Sequence, residues 1–348
     1  MVGRTALSGL NFLSVSFNMY RGSASIALLI SLLGSFLLAY ADPVVINTDV
    51  VIIGGGAAGT YAAVRLREDF NTKIVLVEPR DHLGGSVSTY TVPGTNSTFE
   101  YGVQSYIRNE AADNFFARFD VATQPFAAKR LTSINVNVET GAKLADYVPP
   151  NANDITAAFQ RWLEIVSKYN DYIDPGYWAF PLPANIPTDL LVPFGDFAKR
   201  HQLETAIPRI IAISGVGYGG IRNLLTFNIM QAFGAELTRQ VAAGELVAPI
   251  VSNSLVYQRA LALLGKDVLL SSTVVEVNRT FTHSELLVKQ DDKEYLVKTK
   301  RILFAAPPSL SALQPYHLDE RETAVFSKFT NGGEYVGVAK ITCMQTHL

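Results

Sequence analysis

Apolar and polar positions change their spacing several times along the chain, and each change predicts an element. Asp49 to Ile53 is a β-branched run that enters Gly54-Gly55-Gly56-Ala57-Ala58-Gly59, and from Thr60 to Phe70 alanines, Leu66 and charged residues recur at helical spacing. Asn71 and Thr72 break that pattern, and Lys73 to Glu78 reads as a second strand, apolar on both faces as parallel sheets require. The pattern predicts a βαβ unit. Short strand-like pieces flank Pro93-Gly94 between Ser86 and Val103, and helical periodicity follows over Asn109 to Phe119 and Ile155 to Tyr169. Pro181, Pro183, Pro187, Pro193 and Pro208 then punctuate a stretch that returns to an apolar helix over Asn223 to Phe233, as a cap over a site would. Ser252 to Leu264 predicts a helix ended by Gly265. Val268 to Leu270, Val274 to Val277, Leu286 to Lys289, Glu294 to Val297 and Ile302 to Ala305 alternate as strands of a β-meander.

The first 41 residues differ from the rest, with Arg4 and Arg21 as their only charges and an uncharged apolar run from Ala24 to Ala41. Ala39-Tyr40-Ala41 ahead of Asp42 has the small-x-small form of a signal peptidase site, so residues 1–41 are expected to be a signal peptide, with Met19 as an alternative start, and the protein to be secreted. An uncleaved membrane anchor is the rival reading. Two N-x-S/T acceptor sites, Asn96-Ser97-Thr98 and Asn278-Arg279-Thr280, agree with export, and the single cysteine, Cys343, rules out an intrachain disulfide. At 348 residues and 48% hydrophobic, the chain is long enough for two domains. A net charge of -2 without a dense basic tract carries no footprint for nucleic acid, and the five histidines show no metal-ligand spacing.

Gly54, Gly56 and Gly59 form G-x-G-x-x-G after a strand and at the mouth of a helix, the context in which the motif binds a dinucleotide. Gly54 permits the turn, Gly56 lets backbone approach a pyrophosphate, and Gly59 lets helix press on strand. The helix N-terminus, with Ala57 and Ala58, offers unpaired N–H groups to the phosphates. Glu78 closes the second strand 19 residues beyond Gly59, where a carboxylate accepts hydrogen bonds from ribose hydroxyls and repels a 2′-phosphate. FAD and NAD share this fingerprint.

The continuation Glu78-Pro79-Arg80-Asp81-His82-Leu83-Gly84-Gly85 resembles the E-x-R-x-x-x-G-G segment of the flavin-containing amine oxidase superfamily. Tyr101-Gly102-Val103-Gln104 is similar to the segment that approaches the flavin ring there, Val274 to the valine whose backbone brackets adenine, and Ala305-Ala306-Pro307-Pro308 to the exit from the meander. The stretch from Asp81 through Thr89-Tyr90, Pro93 and Thr95 to Val103 looks most similar to the fungal branch typified by β-cyclopiazonate dehydrogenase. The resemblance implies FAD as cofactor, held by Gly54, Gly56, Ala57, Ala58, Gly59, Glu78, Arg80, Gly84, Gly85, Gly102, Val103, Gln104 and Val274. It also implies that Lys340, on a strand expected over Tyr335 to Thr342, holds a water against flavin N5. Ser86 departs from the family, which often has Arg there, and no counterpart of the family's C-terminal Gly-Asp segment precedes Leu348, so the substrate domain is expected to be incomplete.

These readings combine into an α/β flavoprotein. A Rossmann-type FAD-binding domain is expected over residues 44–125 and 235–310, and a discontinuous α+β substrate domain over 126–234 and 311–348. The implied reaction is hydride transfer from an amine-like or otherwise activated C–H bond of a small molecule to flavin N5, with oxygen as electron acceptor. An NAD-dependent dehydrogenase and a non-catalytic secreted remnant stay open as alternatives. Trp162, Tyr177, Trp178 and Phe180 could line an aromatic pocket or be core, and Gly215 to Gly220 reads as a flexible loop.

Overall fold

The computed structural model describes residues 42–95, 97–127, 135–137, 139–174, 176–216, 220–329 and 336–339. The expected signal peptide, Asn96 and Lys340 lie outside them. The chain divides into two units at Val44/Val45, and the elements below belong to the second, which β1 enters from Val44.

β1 (Val44–Ile53), α1 (Ala57–Glu68) and β2 (Ile74–Val77) realise the expected unit, with β2 parallel to β1 from Val50 opposite Ile74 to Ile53 opposite Val77. All four residues of β2 are buried, because both faces of the sheet are covered there. β3 (Thr89–Thr91) and β4 (Thr98–Glu100) form a hairpin around Pro93-Gly94. α2 (Glu110–Arg118) starts where the Asn109 side chain accepts the Ala112 N–H at 2.8 Å. β5 (Thr123–Pro125) leads towards α3 (Ala152–Ser167), likewise capped by its preceding asparagine, Asn151.

α4 (Phe194–Arg200), α5 (Ile207–Ser214), α6 (Thr226–Ala232) and α7 (Ala235–Ala243) follow, and the expected helix over Asn223–Phe233 begins three residues late, because a separate 3₁₀ turn at Ile221–Asn223 and extended Leu224 and Leu225 precede it. β6 (Val247–Pro249) returns to pair antiparallel with β5. α8 (Leu255–Leu264) ends at Gly265 with φ +53°. β7 (Val268–Leu269) joins β2 in parallel, and β8 (Ser272–Arg279), β9 (Ser284–Gln290) and β10 (Lys293–Phe304) form the meander. The main sheet has the order β7-β2-β1-β10-β9-β8. α9 (Leu310–Leu313) and α10 (Glu320–Phe326) close the described chain, apart from residues 336–339, which carry no regular element where a strand was expected.

One expected break is absent. Instead of separate strands over Glu294 to Val297 and Ile302 to Ala305, β10 runs through the polar stretch Lys298 to Arg301 as a single 12-residue strand. Two of its polar side chains are satisfied by β1: the Thr299 hydroxyl donates to the Asp49 carbonyl oxygen at 3.1 Å, and Lys300 Nζ meets Asp49 Oδ1 at 2.7 Å. That pair holds the Asp49 carboxyl below the usual carboxylate range.

Buried residues fall into three clusters. One lies under α1, β2, α2 and α8, and includes Ile52, Leu76, Phe116 and Tyr257. A second lies on the sheet's other face, where Val51, Val288 and Val297 meet Leu313 and Tyr316. The third is helical and gathers Trp162, Phe194, Phe197, Ile229 and Phe233 around α3 to α7. Leu313, Tyr316 and Phe326, expected on the substrate side, thus pack on the sheet, whereas Ala235, Leu237 and Val241, expected on the cofactor side, pack in the helical cluster. Trp162 is core, while Trp178 is 86% exposed.

Candidate dinucleotide site

The strand-to-helix turn at Gly54–Gly59 is built from close backbone contacts. Gly54 has φ +103°, donates its N–H to Val77 at 2.9 Å, and lies against the backbone of Ala305 and Ala306 as the chain leaves β10. A Cβ on Gly59 would overlap the Gly54 carbonyl oxygen, so no other residue lets α1 start this close to β1.

Gly56 is different. Its backbone, at φ -67° and ψ -172°, suits any residue, and the nearest protein atom to a Cβ there is Gly85 Cα at 3.8 Å. Neither strain nor protein packing requires a glycine. The same residue is the N-cap of α1, which has no capping side chain and no acid in its first turn. The N–H groups of this 12-residue helix therefore face the space a Gly56 side chain would fill, with the positive end of the helix dipole behind them. That is a cradle for an anionic group.

Glu78 stands beside it, 5% exposed, at the end of β2. Its Oε2 accepts the Gly55 N–H at 2.6 Å and its Oε1 accepts the Arg80 N–H at 2.9 Å. The carboxylate is thus locked in place by the backbone, and it retains lone pairs for two hydroxyl donors. Arg80 turns the other way and donates from its guanidinium to the Gly85 carbonyl oxygen at 2.6 Å. It holds the second glycine pair, whose Gly84 N–H donates to the Gly55 carbonyl at 2.8 Å and whose Gly56–Gly84 bridge is parallel. The two glycine motifs, about thirty positions apart in the sequence, are stitched into one surface.

Gly102 and Val103 run alongside Ser86, with the Val103 N–H donating to the Ser86 carbonyl at 3.2 Å, and Gln104 is exposed. Val274 pairs with Val288, and the ladder is bulged between Val274 and Glu276. That bulge was not foreseen: it leaves Val275 without a ladder partner on the edge strand beside the Glu78–Arg80 turn, whose carbonyls accept the Ser272 and Ser271 N–H groups at 3.0 and 2.8 Å. Sequence reading also missed Asn253 and Tyr257. Tyr257 packs its ring against Gly84, and no periodicity marks a turn residue such as Asn253. Burial holds the phenols of Tyr106 and Tyr257 above their usual range.

Comparison with known proteins agrees with this geometry. Residues 52–120 match the NAD(P)-binding Rossmann-like domain. The chain is 33% identical over 308 residues to the FAD-dependent oxidoreductase pigF of Monascus ruber, covering 87% of this chain and 63% of that protein. It is 31% identical over 291 residues to β-cyclopiazonate dehydrogenase of Aspergillus flavus, covering 82% and 61%. It therefore spans less than two thirds of the length of these relatives. Among solved structures, putrescine oxidase superposes with a TM-score of 0.61 at 22% identity, over 81% of this chain and 64% of that one. The conjugated-linoleic-acid-producing (CLA) fatty acid isomerase of P. acnes superposes with a TM-score of 0.62 at 20% identity, with the same coverage.

Proposed function

We propose that this chain is an FAD-dependent oxidoreductase of the flavin amine oxidase-like superfamily, a reading its Rossmann-like domain and its FAD-dependent relative support. The observation that carries the reading is Gly56: a glycine demanded by neither strain nor protein contact, at an uncapped helix N-terminus beside a buried carboxylate. A diphosphate fits that cradle, and Glu78 fits a ribose with both hydroxyls free. A 2′-phosphate would meet the Glu78 charge and is excluded. The name of the Monascus ruber relative, an FAD-dependent oxidoreductase, supports FAD rather than NAD as the occupant.

When bound, FAD supplies the hydride-accepting chemistry at N5. The protein's part is to bind and orient. The α1 N–H groups would take the pyrophosphate, Glu78 the ribose, Gly84-Gly85 the passage beyond it, the Gly102–Gln104 backbone the approach to the ring and Val274 the adenine; Lys340, which the family resemblance assigns to N5, lies outside the described residues. The substrate is a small molecule with an activated C–H bond, such as one next to nitrogen, and oxygen is the acceptor. One fold here serves an amine oxidase and a fatty acid isomerase, so the fold alone does not choose the substrate. Export through the Ala24–Ala41 run is part of the same proposal, and N-terminal sequencing of protein recovered from the medium tests it.

The cofactor reading is tested by purifying the protein and chromatographing what heat releases from it. A yellow protein that yields FAD is the expected result. A colourless protein that also resists reconstitution with FAD overturns it.

A further inference from the structure

The Gly102–Gln104 segment is gripped by a polar network that the cofactor reading does not itself use. Asn253, 1% exposed, occupies the turn before α8. Its Nδ2 donates to the Val103 carbonyl oxygen at 2.5 Å, and its backbone N–H donates to Glu100 Oε1 at 3.0 Å. The other Glu100 oxygen accepts the Thr89 hydroxyl at 2.8 Å, and the Thr89 and Ser254 hydroxyls lie 2.7 Å apart. On the opposite side, a Cβ on Gly102 would overlap the Ser86 carbonyl oxygen, which is also the acceptor for the Val103 N–H. The Val103 residue is thus held from two directions: by the backbone that follows Gly84-Gly85, and by one buried amide from a turn 150 residues away.

We propose that Asn253 is a positioning residue that fixes the Val103 carbonyl, and with it the Gly102–Gln104 backbone, against the flavin. The proposal rests on the flavin reading above. The chemistry selects an amide. The part-buried Val103 carbonyl accepts from the Asn253 amide, an ionised carboxylate has no hydrogen to donate, and its charge would be buried in the amide's place. The titratable groups gathered around this turn are Glu100 from β4, Tyr106 from the loop before α2, and Tyr257 from α8. Both tyrosines are held above their usual range by burial and stay neutral below pH 8.

Asn253→Asp in the full chain separates positioning from mere packing, because it is isosteric. Protonated, the new carboxyl donates to Val103 as the amide did; ionised beside Glu100 it cannot. Flavin affinity, by fluorescence quenching, and the shape of the visible flavin band are measured from pH 5 to pH 8 in both proteins. Asn253→Asp is expected to approach the unaltered protein at pH 5 and to bind FAD about tenfold more weakly at pH 8, with its titration displaced above the ordinary aspartate value of about 3.9. Asn253→Ala is expected to bind weakly across the whole range, with urea unfolding of each apoprotein reporting whether the fold survives. Equal affinity and band shape for Asn253→Asp and the unaltered protein at every pH would sink the positioning role alone. Failure of the unaltered protein to bind FAD would remove the flavin reading and this proposal together.

Discussion

The sheet side of the molecule, around residues 51–103, and the helical cluster over residues 152–243 both bury apolar residues, but different constraints hold them. On the sheet side the critical contacts are between backbones: Gly59 on Gly54, Gly54 on Ala305, Gly102 on Ser86. A single added carbon is fatal there, and the allowed residue is almost unique. In the helical cluster the contacts are between large side chains, with Trp162 edge-on to Phe194 at 5.7 Å and to Phe197 at 6.5 Å. Such cores accept other side chains of similar volume. A chain built this way can keep its cofactor cradle while the region beside it drifts, which accounts for one fold carrying different chemistries.

The contrast is tested most severely within the glycine motif. Gly59→Ala places a methyl on the Gly54 carbonyl and is expected to cost at least about 3 kcal/mol, read as a large drop in urea midpoint or a failure to fold. Gly56→Ala puts the same methyl at ordinary contact distance from Gly85 on an ordinary backbone, and its unfolding free energy should stay within about 1 kcal/mol of the unaltered protein. Its FAD affinity should nevertheless fall at least about tenfold, because the methyl occupies the place of the pyrophosphate. If Gly56→Ala bound FAD normally, the cradle would not be the cofactor site.

In the helical cluster the corresponding test is Trp162→Ala. The ring is fully buried, and its Nε1 donates to the Phe233 carbonyl at 3.1 Å. Truncation should cost about 3–5 kcal/mol, from the cavity and the orphaned carbonyl. FAD affinity of the fraction still folded should change little, since Trp162 packs within the helical cluster. Trp162→Phe should recover most of the stability, and no comparable rescue exists for Gly59. A loss of FAD affinity in Trp162→Ala as large as in Gly56→Ala would show the two regions to be coupled.

This division also explains what the sequence disclosed. G-x-G-x-x-G, Glu78 and Gly84-Gly85 are legible because close backbone approach leaves a residue type as its signature, and strands buried on both faces leave unbroken apolar runs. α4, α5 and α7 went unpredicted because they span seven to nine residues in Pro-rich or alanine-rich stretches, too short for a period to stand out. Lys298 to Arg301 misled because polar side chains can be satisfied across a sheet as well as in a turn. Asn253 was invisible for a related reason: its value depends on Val103 and Glu100, some 150 residues away, and local pattern carries no record of partners at that distance.

The smallest effect bears on where the sheet side ends. Arg279, at the end of edge strand β8, makes a two-pronged pair with Glu322 of α10, at 2.6 and 2.7 Å, and also donates to the His317 carbonyl at 3.0 Å. The arginine and the Asp319 backbone N–H lower the Glu322 carboxyl from 4.5 to about 2. A depressed carboxylate contributes its stability above its unfolded value and loses it as pH falls through its folded value. The contribution is therefore complete above about pH 4.5 and fades towards about pH 2. Both side chains are about one-third exposed, so solvent screening keeps the contribution below about 1 kcal/mol. Arg279→Met should remove the part of the acid-induced loss that lies in this window, as the difference between two urea-unfolding series taken from pH 5 to pH 2. It should also raise amide exchange in α10 while leaving that of α3 unchanged, because α10 is anchored to the sheet and not to the helical cluster. Equal exchange in α10 with and without Arg279 would mean that Leu313, Tyr316 and Phe326 hold the segment by packing alone.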